Sequence, residues 1–174
     1  MCASCTTNTG LHEALAELQE SARAGLEDVR EIARGLRPQA LDDVGLRSAL
    51  ISLATQVSDR SGVRVRPRIG PSLPELAPEQ DLAIYRVAQE SLTNVARHAQ
   101  ARNVTLALEA TNGEVTLLVR DDGRGISEQE SARRTMGLGG MHERALLVSG
   151  RLVVRRCPEG GTEVRLDVPV SGGT

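Results

Sequence analysis

Four polar side chains between residues 90 and 98 have the types and the spacing to do chemistry. If this stretch is helical, Glu90, Asn94 and His98 lie on one face at four-residue spacing, with Arg97 beside them. The face then combines a carboxylate, an amide oxygen and two potential cations. Asn has poor helix propensity, so in the middle of a helix it usually serves some purpose other than solubility. These residues predict a site for phosphate groups and a metal ion.

Two glycine-rich segments further along the chain suggest a backbone that approaches a ligand closely. They are residues 121–125 (DDGRG) and residues 137–140 (GLGG). Backbone N–H groups at the start of the helix expected from Met141 would suit a phosphate. Neither segment is a Walker motif or a Rossmann fingerprint, because the second lacks a third spaced glycine and the chain has no Gly-Lys-Ser/Thr. Taken singly, each segment is more often only a turn.

The elements that must position these residues follow from hydrophobic periodicity. A helix over residues 78–99 carries the polar face. Alternating apolar residues over 104–108 and 115–119, around Asn112-Gly113, predict an antiparallel hairpin closed by a type I′ turn. The second hairpin strand leads directly into the DDGRG segment, and residues 127–135 are predicted to be a mobile loop. The side of the helix opposite Asn94 is expected to pack on the sheet through Tyr85, Ala88, Leu92, Ala96 and Ala99.

Further helices are expected over residues 46–60 and 141–149, and further strands over residues 63–69, 151–156 and 162–168. Pro67 in the first of these strands indicates a sheet edge. Five strands and three helices predict an α+β two-layer sandwich, in which helices cover a mixed, largely antiparallel five-stranded sheet. Residues 170–174 are predicted to be a disordered tail.

The stretch before this sandwich has a different pattern. Between residues 11 and 36, apolar residues recur every seven positions, which predicts a long helix that ends at Pro38. One such helix cannot bury its own apolar stripe, so we expect it to pack on a second copy or on a partner helix. The alternative is that it lies on its own domain. Residues 1–10 are interpreted as a disordered leader.

Composition narrows the class of protein. The 174 residues are 40% apolar and include one Tyr but no Trp or Phe, so the core is aliphatic and nucleic-acid binding by aromatic stacking is not expected. A net charge of −2 does not predict an anionic membrane surface as a partner. No apolar run approaches the ~20 residues of a membrane span. Three scattered cysteines favour a reducing cytoplasm, which we predict as the location.

Four short segments together resemble a known family. Residues 90–98 (ESLTNVARH), 121–125, 137–141 (GLGGM) and 160–162 (GGT) resemble the N, G1, G2 and final Gly-Thr boxes of the GHKL (Bergerat-type) ATPase superfamily. That superfamily is shared by gyrase, the heat-shock chaperones, sensor histidine kinases and mismatch-repair proteins.

Within that superfamily, residues 34–38 (RGLRP), 41–46 (LDDVGL) and 137–144 (GLGGMHER) resemble histidine kinases that signal to LuxR-type response regulators. The resemblance implies that residues 11–37 are the second helix of a dimerisation and phosphotransfer hairpin. It also implies that residues 45–169 are an ATP-binding catalytic domain with the GHKL fold.

The resemblance further implies ATP and Mg²⁺ as ligands and assigns roles to individual residues. Asn94 would coordinate an Mg²⁺ that bridges the phosphates, and Glu90 would support the metal's water shell, so both would be catalytic. Arg97 and His98 would contact phosphate or ribose, and Asp121 would accept a hydrogen bond from the adenine amine. The other positions implied to bind the nucleotide lie in the glycine segments and the last box, and they are Gly123, Gly125, Ile126, Gly137, Leu138, Gly139 and Thr162.

The implied reaction is transfer of the γ-phosphoryl group of Mg-ATP to a histidine on a dimerisation helix, which makes the protein a histidine protein kinase. His12-Glu13 imitates the acceptor pair, but only about 25 residues separate it from residues 34–38, too few for a two-helix hairpin. The acceptor is therefore expected outside this chain. The chain itself resembles a C-terminal fragment of a sensor that is either cytoplasmic or anchored in a membrane with this end in the cytoplasm.

The partners implied are the acceptor helix of the same kinase, a LuxR-type response regulator and, where the full hairpin is present, a second copy in a homodimer. Neither nucleic acid nor membrane contact is expected. Two alternatives stay open at this point: an anti-sigma-type serine kinase on the same ATP fold, and a non-catalytic dimerisation module.

Overall fold

Helices and strands occur in a mixed order along the part of the chain that the computed structural model describes, residues 39–126 and 136–170. The helices are α1 (Gln39–Ser61), α2 (Pro78–Asn94) and α3 (Met136–Leu147). The strands are β1 (Arg64–Ile69), β2 (Asn103–Thr111), β3 (Glu114–Asp121), β4 (Arg151–Arg156) and β5 (Thr162–Pro169). The predicted leader, the helix over residues 11–37 and the loop over residues 127–135 lie outside the described residues.

The five strands form one sheet in the order β1-β2-β3-β5-β4. β1 runs parallel to β2, and the other three pairs are antiparallel, which confirms the predicted mixed, largely antiparallel sheet. β1 is an edge strand, as Pro67 predicts. The hairpin between β2 and β3 is also confirmed, because both central turn residues have the positive φ of a type I′ turn, 53° at Asn112 and 79° at Gly113.

The core lies between one face of the sheet and the helices. Alternate residues of the strands point into it, and its largest fully buried side chains are aliphatic, including Leu106, Leu117 and Leu166. α2 supplies Ile84, Val87 and most of its predicted packing face. Ala96 is the exception, because it is exposed. The aliphatic core predicted from composition is therefore observed.

α1 begins earlier than predicted. The predicted helix from residue 46 is present, but a helical segment from Gln39 precedes it, and the two join at a kink at Gly45, whose φ and ψ are not helical. Leu41 explains the early start, since it is buried in the core with Leu46 and Leu50 on the same helix. Gly45 has φ 74° and ψ 168°, a backbone conformation that is essentially restricted to glycine.

α3 also begins before its predicted start at Met141, so residues 137–140 belong to its first turns. The apolar stripe of this helix is Leu138, Met141 and Ala145, and it continues to Val148 in the following turn, all four buried. Burial of Leu138 favours helical winding from Met136 despite three glycines. The left-handed residue that follows the end of the helix is Ser149, at φ 54°.

Val170, the first residue of the predicted disordered tail, is hydrogen-bonded to the sheet. Its N–H donates to the carbonyl of Gly113 at 2.7 Å. Among the described helices, none combines the length and the apolar character needed to cross a membrane.

Candidate functional site

The last turns of α2 carry Glu90 and Asn94, both half-buried. Directly after Asn94 the chain continues as a single π-helical turn, Val95–Ala99, which places Arg97 and His98 on the surface. A π turn is wider than an α turn, so the spacing between Asn94 and His98 along the chain differs from that of an α-helix. Single π turns inside helices are frequent at functional sites, and no residue pattern in the sequence predicted this one.

Asp121 ends β3 and is only 5% exposed. Its Oδ1 accepts a hydrogen bond from the N–H of Gly123 at 2.8 Å, and its Oδ2 accepts one from the N–H of Thr162 at 3.1 Å. These two bonds fix the plane of the carboxylate. Each oxygen keeps a second acceptor position, because a carboxylate oxygen has about two. Asp121 is thus oriented and still able to accept a hydrogen bond from a ligand.

Thr162 lies next to Asp121, and its backbone N–H makes the contact. The preceding residue explains how β5 comes so close. A β-carbon on Gly161 would overlap the backbone carbonyl of Asp121, and Gly161 has φ 84°. Glycine at this position therefore lets the start of β5 pack directly against the end of β3.

The DDGRG segment is hydrogen-bonded to the end of the helix that carries Asn94. The N–H of Arg124 donates to the carbonyl of Ala99 at 2.8 Å, and Nε of Arg124 donates to the carbonyl of His98 at 2.8 Å. These bonds satisfy carbonyls that a helix leaves open at its C-terminal end, where a cation is also favoured. Gly123 packs so closely here that a β-carbon would overlap the carbonyl of Ala99.

Gly125 has a similar structural reason for being glycine. Its φ is 75°, and a β-carbon on it would lie 2.8 Å from the carbonyl oxygen of Gly161. The glycines of this segment were predicted to let the backbone approach a ligand. In the structure they let three backbone segments approach one another, at the end of β3, the end of the helix and the start of β5. Ile126, the next residue, is half-buried against the core.

The second glycine segment meets the polar face of α2. A β-carbon on Gly137 would overlap the carboxylate oxygen Oε1 of Glu90, whereas one on Gly139 would meet nothing within 4 Å. Leu138, between them, is buried in the core. Gly137 therefore brings the start of α3 against the Glu90 carboxylate, and the space beside Gly139 is open.

The oxygen atoms on α2 fit the requirements of Mg²⁺. Mg²⁺ keeps several waters and is usually held by one or two protein oxygens together with substrate phosphates. Glu90 supplies a carboxylate and Asn94 an amide oxygen one helical turn apart. The described residues contain no cluster of three or more His, Cys, Asp or Glu side chains that could hold a metal alone. The site thus suits a metal ion that arrives with phosphates.

Sequence reasoning missed the contributions of Asp122 and Arg124. Neither residue was given a role of its own in the prediction from sequence. The only signal for either was its position within the DDGRG segment, because the groups they bond, backbone groups and the Asn103 side chain, are distant in the sequence.

Several known proteins are similar to this chain in sequence. A family profile for histidine kinase-, DNA gyrase B- and HSP90-like ATPases matches residues 79–172. The signal transduction histidine-protein kinase/phosphatase DegS of Brevibacillus brevis is 34% identical over 167 residues, which is 93% of this chain and 43% of that protein. The oxygen sensor histidine kinase NreB of Staphylococcus carnosus is 34% identical over 147 residues, 84% of this chain and 42% of that protein. The chain thus spans less than half the length of these relatives.

Solved structures show the same architecture. The histidine kinase domain of the blue-light activated histidine kinase from Erythrobacter litoralis EL346 is 25% identical, with a TM-score of 0.62 over 72% of this chain and 61% of that chain. The histidine kinase AdeS of Acinetobacter baumannii shares the fold at 12% identity, with a TM-score of 0.63 over 93% of this chain and 85% of that chain. These structures confirm the predicted fold class.

Proposed function

Because the chain belongs to the histidine kinase-, DNA gyrase B- and HSP90-like ATPase family, we propose that residues 45–169 bind Mg-ATP and donate its γ-phosphoryl group to a histidine on a dimerisation helix. The family match and the histidine kinase relatives confirm the resemblance seen in the sequence and identify the ATP-binding domain of a sensor histidine kinase. The individual contacts, the metal and the acceptor are proposals.

One observation carries the assignment of the site. The four sequence segments that resemble nucleotide-binding boxes are far apart in the chain and are in contact in the fold. Arg124 joins the DDGRG segment to the helix end, Thr162 joins Asp121, and Gly137 lies against Glu90. A fold that needed these residues only as turns or solvated side chains would have no reason to bring all four together.

Each residue then has a distinct task in binding. Asp121 accepts a hydrogen bond from the exocyclic amine of adenine, using an acceptor position that its backbone partners leave open. Arg97 and His98 contact phosphate or ribose from the exposed π turn. The Gly137 to Gly139 segment frames the phosphates. Asn94 would hold Mg²⁺ and Glu90 would support its water shell, and the ion when bound would neutralise phosphate charge.

The protein's contribution to the transfer is positioning and electrostatic stabilisation. A nitrogen of the acceptor imidazole attacks the γ-phosphorus, and the bond from that phosphorus to the β,γ-bridging oxygen breaks. ADP leaves with the electron pair, and the imidazole proton passes to an acidic neighbour of the acceptor. The relatives are named histidine kinases, which favours a histidine acceptor over the serine of an anti-sigma-type kinase.

The partners proposed follow from this reaction. They are the acceptor helix of the same kinase, a second copy of the chain in a homodimer, and a LuxR-type response regulator that receives the phosphoryl group. Residues 11–37 are proposed to be the second helix of the dimerisation hairpin, and the cytoplasm is the proposed location.

Titration with a fluorescent ATP analogue tests the binding site. We expect saturable binding that requires Mg²⁺ and is weakened by Asp121→Asn and by Asn94→Asp. Asp59→Asn is a matched control, because Asp59 is an exposed acid of α1 outside the proposed site. Binding that is absent in the wild-type protein, or that both site variants leave unchanged, would contradict the proposal.

A further inference from the structure

Asp122 and Arg124 hold the two ends of one short connector, the residues between the helix end at Ala99 and the start of β2 at Asn103. Arg124 holds the first end through its bonds to the carbonyls of His98 and Ala99. The connector itself contains Gln100 in a left-handed conformation at φ 54°, which is uncommon for a residue other than glycine. Arg124 therefore fixes the position at which the connector leaves the helix.

Asp122 holds the second end through its carboxylate. Oδ1 accepts hydrogen bonds from the N–H groups of Arg102 at 2.8 Å and Asn103 at 2.9 Å, and Oδ2 accepts one from Nδ2 of Asn103 at 2.8 Å. The N–H of Asp122 also donates to the carbonyl of Asn103 at 3.2 Å. The bonds from the backbone and side chain of Asn103 lower the pKa of Asp122, so this exposed carboxylate stays charged and paired.

These contacts connect two parts of the proposed nucleotide site. On one side of Asp122 is Asp121, proposed to bind the base. Across the connector is the helix end with Asn94 and His98, proposed to bind the metal and phosphates. A ligand that spans both parts binds tightly only if the distance between them matches the ligand. Once one part of the ligand is bound, contact with the second part then costs little further translational entropy.

We propose that Asp122, together with Arg124, is a positioning residue that sets the separation between the base-binding and the phosphate-binding parts of the site. Asp122 belongs to neither proposed part of the site and acts through residues 99–103, which it contacts at Arg102 and Asn103. This inference rests on the proposed function, since it concerns how that site is spaced. It predicts an effect on ligands that span both parts and none on a ligand that occupies the base part alone.

Competition against a fluorescent ATP analogue, with the full chain, separates the two kinds of ligand. For Asp122→Ala we expect the affinity for Mg-ATP to fall on the order of tenfold or more, the scale of effect that small misplacements produce. The affinity for adenosine should stay at the wild-type value. Asp59→Ala, which removes an exposed acid elsewhere, should change neither affinity.

Two further variants grade the effect. Asp122→Asn keeps one acceptor oxygen for the N–H groups of Arg102 and Asn103, so it should restore most of the Mg-ATP affinity. Asn103→Ala removes only the side-chain donor to Oδ2, so it should weaken Mg-ATP binding less than Asp122→Ala does and again leave adenosine unchanged. These variants keep the test decisive if Asp122→Ala does not fold.

The outcomes distinguish this inference from the proposed function. An equal loss of adenosine and Mg-ATP affinity in the Asp122 and Asn103 variants would show a merely structural role and overturn the inference, as would no loss at all. If Asp121→Asn fails to weaken adenosine binding, the proposed function itself is wrong, whatever the Asp122 variants do.

Discussion

At the scale of single residues, Gly137 is where the contact between two boxes can be tested. A β-carbon there overlaps the flexible end of Glu90, and Ala is favoured over Gly within a helix by about 1 kcal/mol. We expect Gly137→Ala to keep or raise the free energy of unfolding, measured with urea. By displacing the carboxylate it should raise the Mg²⁺ concentration for half-maximal ATP binding on the order of tenfold.

Gly139→Ala is the matched control for the helix-propensity part of this prediction. The space at Gly139 is open, so the free energy of unfolding should rise by a similar amount without movement of Glu90. An unchanged Mg²⁺ requirement in Gly137→Ala would contradict the role of Glu90 in the metal's water shell. A large drop in stability would show that Glu90 cannot move aside.

At the scale of elements, a helix or strand could be predicted from the sequence when the residues that determine it are close together in the chain. The β2-β3 hairpin was predictable because Asn112-Gly113 specifies its turn within two residues. The starts of α1 and α3 were not, since the burial of Leu41 and Leu138 against distant residues decides them. The π turn falls in the same class, because its last carbonyls are bonded by Arg124 from another element. In the site, Asp121 and Thr162 lie in segments that could be recognised in the sequence. The bonds of Asp122 could not be predicted, because Arg102 and Asn103 come close to it only when the chain folds.

The kink in α1 gives a prediction at this scale. Gly45 adopts a conformation that side chains rarely allow, although a β-carbon would meet nothing within 4 Å. Gly45→Ala should therefore lower the free energy of unfolding by about 1–3 kcal/mol through backbone strain alone. Ser48→Ala, at an exposed helical position, should have little effect. Urea unfolding measures both, and an unchanged midpoint for Gly45→Ala would show that α1 can straighten without cost.

At the scale of the whole molecule, the proposed site is built at one end of the sheet. β3 ends there at Asp121 and β5 begins there at Thr162, while the hairpin turn at Asn112-Gly113 lies at the opposite end. A nucleotide bound at the first end would bridge residues from α2, β3, α3 and β5. A ligand present at about a hundred times its dissociation constant stabilises the folded state by about 2.7 kcal/mol. A site at one end of the sheet predicts that the bound nucleotide slows local opening more at that end than at the other.

Amide hydrogen exchange measures local opening at the two ends of the sheet. The N–H groups of Gly123, Arg124 and Thr162 are hydrogen-bonded at the site, those of Arg124 and Thr162 to other elements, whereas that of Val170 is bonded to Gly113 at the far end. If Mg-ATP bridges the boxes, local opening at the site requires release of the ligand, so these three amides should slow by a larger factor than Val170 does. In Asp121→Asn the difference should shrink, because the ligand loses its base contact. Equal slowing at both ends in the wild-type protein would mean that the nucleotide stabilises only the global fold, and it would contradict a site that spans all four boxes.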